Sequence, residues 1–300
     1  MSSVEGNLRI AAAAAIAPVV WGSGYYVTQT YLPTDRPLFG AAVRALPFGL
    51  LLLALRPGLL HGAWWWRTAA LGVLNFSAFF VLIFVASDRL PSGVAATLTA
   101  TSPLVIMLFA WLISAERPRP GSLVAAAVGI AGVGVLVLRG GVALDALGVL
   151  ASLAAVLCSS LGFVLVKAWR PPVDLLTFTA WQLVFGGIVL APIALAVEGA
   201  PPALDARAVG GFLYVGLLGT VLAYVVWFRG LRTMPAAAVS LLGLLNPVAG
   251  AVVGVVLGHE SMTPTQLLGM ALVLGGVLFG QPAVLSAVSR RVLVRRRCLE

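Results

Sequence analysis

Charge is what this sequence has least of. Only 10% of its 300 residues are Asp, Glu, Lys or Arg, against about 25% in a typical soluble domain. Acids are scarcer than bases, 10 against 19, and there are two histidines and two cysteines. Each shortage excludes something. Cys158 sits in an apolar run and Cys298 in a basic tail, which leaves neither a structural disulfide nor a metal-ligand spacing. His61 and His259 fall in loops expected on opposite sides of a membrane. No Gly-x-Ser-x-Gly, His-Glu-x-x-His or phosphate-loop pattern occurs, and Gly22-Ser23-Gly24 is not a nucleophile elbow. The chain offers an enzyme little, and no cofactor or metal is expected.

What is present is hydrophobe: 61% of the residues, with a mean hydropathy of +1.06. Such a chain cannot hide its apolar surface from water, and lipid is the solvent that fits. A hydrocarbon core of about 30 Å takes about 20 helical residues. Ten apolar segments of that order are punctuated by polar or Pro/Gly-rich stretches, at 8–27, 37–55, 66–86, 92–113, 121–138, 147–168, 174–197, 207–228, 235–257 and 265–282. The run from Leu8 to Tyr26 is the length of a full span, so it reads as the first helix and not as a cleaved signal. The expected fold is an all-α integral membrane protein of ten transmembrane helices, with the bilayer as its main partner.

The bases report topology. The net charge of +9 does not mark a nucleic-acid partner, because the bases punctuate apolar segments and do not interleave with aromatics on a polar domain. One side, shared by the N-terminus, the loops after segments 2, 4, 6 and 8 and the tail, carries fourteen Lys and Arg. The other carries Arg36, Arg89, Arg139 and Arg207, and Arg44 lies within segment 2. The positive-inside rule then predicts that both termini are cytoplasmic.

An internal repeat is the most informative feature. A shift of 144 aligns Leu71 to Gly134 with Val215 to Leu278 without a gap, placing Pro91 on Pro235, Pro103 on Pro247, Glu116 on Glu260, Pro120 on Pro264 and Gly132 on Gly276. Upstream, a shift of 138 pairs Gly24-Tyr25 with Gly162-Phe163 and Arg44 with Gln182. Each half holds five helices, so the second must enter from the opposite side. The organisation expected is 8–140 and 147–282 as two inverted five-helix units, then a basic cytoplasmic tail at 283–300. Inverted repeats let one set of helices adopt two exchanged conformations, which is the basis of alternating access.

With Trp21-Gly22-Ser23 near the end of segment 1, the stretch RLPSGVAATLTATSPLVIMLFAWLISAERP and its copy RTMPAAAVSLLGLLNPVAGAVVGVVLGHESMTP, the sequence resembles the EamA-type members of the drug/metabolite transporter superfamily. The resemblance runs from Leu8 to Pro282, and its most specific marks are Pro103 with Glu116 and Pro247 with Glu260. It implies a central cavity lined chiefly by helices 1, 3, 4, 6, 8 and 9. The similarity extends to bacterial inner-membrane exporters of aromatic amino acids, implying export of aromatic and other apolar amino acids from an inner membrane. Efflux of amphipathic cationic drugs or other small metabolites is the alternative, weakened because such a cargo wants a buried carboxylate.

The residues suggest walls for that cavity. Pro18, Pro103 and Pro247 fall near mid-span, where each leaves a carbonyl unpartnered; they shape packing or act as hinges, and the repeat-related pair is expected to flank a site. Asn75, Thr99, Thr101, Ser102, Ser159, Ser160, Gln182, Ser240 and Asn246 should avoid lipid tails. The hydroxyls divide between packing and lining, while Asn75 and Asn246 are expected to face the pore, with interhelical bonding as the other possibility. Ser102 and Asn246 hold equivalent positions before their prolines. Aromatic recognition is expected from Trp21, Tyr25, Phe79 and Tyr224, and headgroup anchoring from Trp64, Trp65, Trp66 and Trp227. The proposed substrate-binding set is thus Trp21, Tyr25, Asn75, Phe79, Ser102, Ser159, Tyr224 and Asn246, with Pro18, Pro103, Pro247, Glu116 and Glu260 as hinge or gate. Arg44 either snorkels to the outer headgroups or meets a carboxylate. Small residues at four-residue spacing on segments 5, 9 and 10 suit intramolecular packing or a weak homodimer seam. All ten acids fall at ends or loops, so nothing titratable is left at mid-span to carry a proton, and uncoupled facilitated transport is expected.

Overall fold

A backbone in lipid must satisfy its own hydrogen bonds, so uninterrupted apolar runs become helices. The computed structural model describes residues 3–33, 35–90, 92–137, 145–259, 261–282 and 284, all as helices and short connections. We number ten helices, some made of pieces. They are α1 (Ser3–Tyr31), α2 (Pro37–Leu55), α3 (Trp64–Gly72, Val73–Ser77 and Ala78–Arg89), α4 (Ser92–Thr99 and Ser102–Ser114) and α5 (Pro120–Val137). Then come α6 (Ala146–Trp169), α7 (Leu175–Glu198), α8 (Ala206–Leu213, Tyr214–Leu222 and Ala223–Thr233), α9 (Ala236–Leu242 and Leu245–Gly258) and α10 (Pro264–Phe279). Among the described residues nine helices are long and apolar enough to cross a membrane; α10, with 16 residues, is shorter. It stops before the expected 282 because Gly280 follows and Pro282 has no N–H with which to continue. Most of the expected tail, 283–300, lies outside the described residues.

The scarce acids go to helix starts. Asp145, Asp174 and Asp205 accept the free N–H groups of Gly148, Leu176 with Thr177, and Ala208, donors that the first turn of a helix leaves without an intrahelical partner. The Thr177 hydroxyl, bonded to Asp174 at 2.6 Å, holds that carboxyl below its usual range. The stabilisation from this cap is therefore present at neutral pH and is lost only as pH falls through the lowered value. Glu198 accepts the N–H groups of Leu38 and Phe39 at 2.6 and 2.7 Å, fixing the end of α7 to the start of α2.

Helix pairing exchanges one for one when the halves are swapped. α1 packs on α8 and α9, and α6 packs on α3 and α4; α2 pairs with α7, and α5 with α10. The backbone irregularities repeat as well. The wide π turns Val73–Ser77 of α3 and Tyr214–Leu222 of α8 overlap at the 144 shift. The breaks in α4 at Ala100-Thr101 and in α9 at Gly243-Leu244 do so too, as do the left-handed caps Ala115 (φ 54°) and His259 (φ 55°). The α4 and α9 breaks lie one turn before Pro103 and Pro247, because a proline removes the bond to the carbonyl four residues back and its ring presses on that carbonyl. The turn tightens instead, through Thr101 N–H to Leu98 O and Leu244 N–H to Leu241 O, both 3.1 Å. Pro103 thus begins a new helical piece and does not bend a continuous helix, whereas α1 runs on through the buried Pro18.

The small residues of α5 and α10 face each other inside the chain. A Cβ on Gly132 would lie 2.8 Å from both Leu272 Cβ and the Val273 nitrogen. Because backbone is in the way, Gly132→Leu should destabilise by about 1–3 kcal/mol. Thermal unfolding in detergent should show a drop of several degrees, with Gly275→Ala as the control, since a Cβ there meets nothing within 4 Å.

Candidate functional site

The π turns matter because they turn backbone carbonyls toward neighbouring helices. Asn75 and Gly219, related by the 144 shift, sit in the two turns. Gly219 O accepts the Trp21 indole N–H at 2.9 Å and an Arg44 N–H at 3.3 Å; Asn75 O accepts the Tyr224 hydroxyl at 3.3 Å. In each half a carbonyl released by the irregular turn is taken by an aromatic side chain of another helix. The repeat-related pair Arg44 and Gln182 also act alike. Arg44 Nε donates to Thr220 Oγ1 at 3.0 Å on α8, and Gln182 Oε1 accepts from Asn75 Nδ2 at 2.9 Å on α3.

Aromatic rings fill the space between these turns. Tyr224 lies 4.5 Å from Phe76 and 5.3 Å from Trp21, and Trp227 lies 5.4 Å from Trp21 and 5.7 Å from Phe163, centroid to centroid. Arg44 carries its guanidinium 4.8 Å over Phe80, a favourable cation–π distance. Gly22 permits the approach of α1 to α9: its Cβ would meet Ala249 Cβ at 2.7 Å and the Gly250 nitrogen at 2.9 Å. Ser23 bonds the Tyr214 hydroxyl at 2.6 Å. The Trp21-Gly22-Ser23 run is thus a contact strip, with Trp21 and Ser23 on α8 and Gly22 on α9. Seven buried polar side-chain atoms on α3, α6, α8 and α9 have no hydrogen-bond partner among the described residues, among them Asn75 Oδ1, Ser160 Oγ, Trp227 Nε1 and Asn246 Oδ1. An unmet buried polar group costs about 1–3 kcal/mol, and Trp227 Nε1 within the aromatic cluster and Asn75 Oδ1 beside it fit a site that exchanges partners.

At the arginine-rich end a clamp closes the bundle. The left-handed turn at Ala115 redirects the chain so that Glu116 faces α9. Its Oε1 accepts the Ala236 N–H at 2.6 Å and its Oε2 meets Lys167 Nζ at 2.5 Å, while Lys167 also donates to Met234 O at 2.9 Å. One carboxylate therefore joins α4, α6 and the start of α9.

A family model described as the EamA-like transporter family matches residues 8–138 and again 146–279. This chain belongs to that family. The EamA-like chain is 36% identical over 281 residues to protein PecM of Dickeya dadantii (strain 3937), covering 93% of this chain and 94% of that protein. It is 27% identical over 277 residues to the uncharacterized inner membrane transporter YedA of Escherichia coli (strain K12), covering 87% and 86%. A protein of known crystal structure shares its fold at a TM-score of 0.79 and 20% identity, over 95% of this chain and 98% of that one. The protein is an all-helical membrane transporter of the EamA-like family, and not an enzyme.

Of the residues singled out in this EamA-like sequence, the fold brings Trp21 and Tyr224 into the aromatic cluster and stacks Phe79 5.6 Å from Phe80 beside it. Trp21, Phe79, Ser102 and Asn246 keep partial exposure, the last two just beyond the breaks of α4 and α9. Three expectations of cavity exposure need correction for this conformation. Asn75 is fully buried and bonds Gln182, the interhelical role, because the π turn swings it toward α7. Tyr224 is buried under Trp21 and Phe76. Ser159 is buried and bonds its own helix at Ala155 O, 3.0 Å away. Trp227 is no headgroup anchor: α8 runs on to Thr233, which carries Trp227 inward to 2% exposure. Trp65 and Trp66 are exposed as an anchor requires, while Trp64 packs on Phe178 at 6.5 Å. The Tyr25 side chain and Glu260 lie outside the described residues. Phe163 and Lys167 were missed as partners of the site; the pairing of Tyr25 with Phe163 at the 138 shift was the signal for one of them.

Proposed function

We propose that this transporter exports amino acids, aromatic and other apolar ones, across a bacterial inner membrane with both termini in the cytoplasm. The units 8–140 and 147–282 rock against each other about the aromatic cluster. The observation that carries the reading is the placement of Arg44. It is the eighth residue of the 19-residue helix α2, stacked on Phe80 and sharing the Gly219 carbonyl with Trp21. Gly22, next to Trp21 in the chain, abuts the backbone carbonyl of Asn246, and Asn246 Oδ1 is an unmet acceptor among the described residues. A cation, an aromatic wall and an acceptor on the helices around it suit a zwitterion with a flat or apolar side chain: carboxylate, ring and ammonium. A cationic drug would want an anion here, and none of the ten acids lies at mid-span.

Inner-membrane residence is supported by the relative from Escherichia coli, an inner membrane transporter, and the cytoplasmic termini by the count of Lys and Arg on the two sides. In this reading Trp21, Tyr25, Asn75, Phe79, Ser102, Ser159, Tyr224 and Asn246 form or frame the binding site. Asn75, Ser159 and Tyr224 come into contact only as the helices reopen. Pro18, Pro103, Pro247, Glu116 and Glu260 serve as hinge and gate, and transport runs down the cargo's own gradient as a monomer or weak homodimer. A thermal-stability screen of purified protein checks the cargo. Phenylalanine, tryptophan and leucine should raise the unfolding temperature in a saturable way, and hydrophobic cations should not; the reverse ranking sinks the amino-acid reading.

A further inference from the structure

The arginine-rich end holds a cavity, separate from the aromatic cluster. It is a cleft of 410 Å³ between the α4–α5 connection, the ends of α6 and α10, and the α8–α9 connection. Its floor is apolar, from Met107, Ala110, Met234 and Ala238, and its rim carries Arg117, Arg119 and Arg232 beside Glu116 and Lys167. The Glu116–Lys167 pair is internally neutral, and the second Glu116 oxygen is taken by the Ala236 N–H. That leaves three positive charges around one cleft. None of the three guanidiniums has an ion pair or side-chain hydrogen bond among the described residues. The other acid on this end whose side chain is described, Asp174, is committed to Thr177 and the start of α7.

We propose that this cleft is a binding site for a phosphate-type anion, gripped by Arg117, Arg119 and Arg232. Guanidinium forks match phosphate oxygens in pairs, and several of them compensate a doubly charged group that one could not. The apolar floor accepts the carbon skeleton attached to such a group, and basic pockets between helices at a membrane surface are characteristic sites for anionic headgroups. The ligand spans the α4–α5 and α8–α9 connections, the same two parts that Glu116 already joins. It therefore binds the clamped conformation better than an opened one and stabilises it by that difference. The proposal stands on the cleft lining alone and is independent of the cargo.

Two sources share this chemistry, the headgroup of an anionic lipid and a soluble phosphate, and one experiment separates them. Full-length protein in a neutral maltoside detergent is titrated with inorganic phosphate, with dioleoyl phosphatidylglycerol or with the zwitterionic phosphatidylcholine, at constant ionic strength set by chloride. Unfolding temperature and bound mass by native mass spectrometry are read together. Wild type should show a saturable rise and one retained anion, and the R117Q/R119Q/R232Q variant should bind about a hundredfold more weakly. A response to phosphate as well as lipid assigns a soluble ligand; a response to phosphatidylglycerol alone assigns a headgroup. Equal response to phosphatidylcholine, no response to any anion, or unchanged binding in the triple variant overturns the site. If the triple variant does not fold, R232Q alone, at an exposed helix end, should weaken binding about fivefold, and an unchanged affinity there counts against the proposal.

Discussion

With Lys167 replaced by methionine, a cysteine at position 240 should react with an impermeant thiol reagent from the arginine-rich end about five- to a hundredfold faster than with the lysine present. Ser240 is the probe because it is 1% exposed on α9 beneath the clamp and Ser240→Cys is nearly isosteric; Cys158 and Cys298 are first changed to serine. Lys167 makes two contacts that join α6 to its neighbours, Glu116 at 2.5 Å and Met234 O at 2.9 Å. Removing one partner of a buried pair costs about 3–5 kcal/mol, and a well-exposed pair is worth about 0–1 kcal/mol. These side chains are 20% and 28% exposed, so we place the effect between, at about 1–3 kcal/mol on the closed state. That difference appears as the change in the open fraction. Equal labelling rates with and without the lysine would mean that the clamp does not hold this end shut.

Arg44→Gln should leave the folded yield within about twofold while raising the apparent KM for phenylalanine about ten- to a hundredfold, the loss of a charge-assisted contact worth about 1.5–3 kcal/mol. Structural dependence on the arginine is modest, because Gly219 O keeps the Trp21 indole and Thr220 bonds Val215 O at 2.8 Å. The internal control is phenethylamine, which has the ring and ammonium of phenylalanine but no carboxylate. Its transport or competition should be indifferent to the substitution. Unchanged phenylalanine transport with normal yield would leave Arg44 a structural residue only.

The two predictions rest on parts of the molecule that were unequally legible. The ten helices could be read because lipid demands long apolar runs, and all ten expected segments correspond to helices, with ends shifted where a cap or proline decides. The breaks before Pro103 and Pro247 were legible because a missing N–H acts at a fixed offset. The π turns were not: Val73–Ser77 and Tyr214–Leu222 differ in every residue type that might mark such a turn, and what holds them open is side chains from other helices. From that one omission follows the burial of Asn75, which the turn carries into the core. Trp227 was misplaced because α8 outruns its apolar stretch through Arg229 and Arg232, so a residue expected at the boundary lies inside. Glu116 was singled out through its repeat partner, but Lys167 counted only as a topological charge, since ion pairs across 51 residues leave no local pattern.

The central claim is that this protein moves aromatic amino acids by exchange of two conformations, without a coupled ion. The most direct test is counterflow in sealed liposomes that contain the purified protein, a clamped membrane potential and a pH-sensitive dye. Vesicles loaded with unlabelled phenylalanine should transiently accumulate labelled phenylalanine from outside, saturably and with competition from tryptophan, while the dye stays silent and an imposed pH difference drives no net accumulation. Absence of counterflow for every aromatic amino acid, or proton movement tied to each transport cycle, would contradict the account.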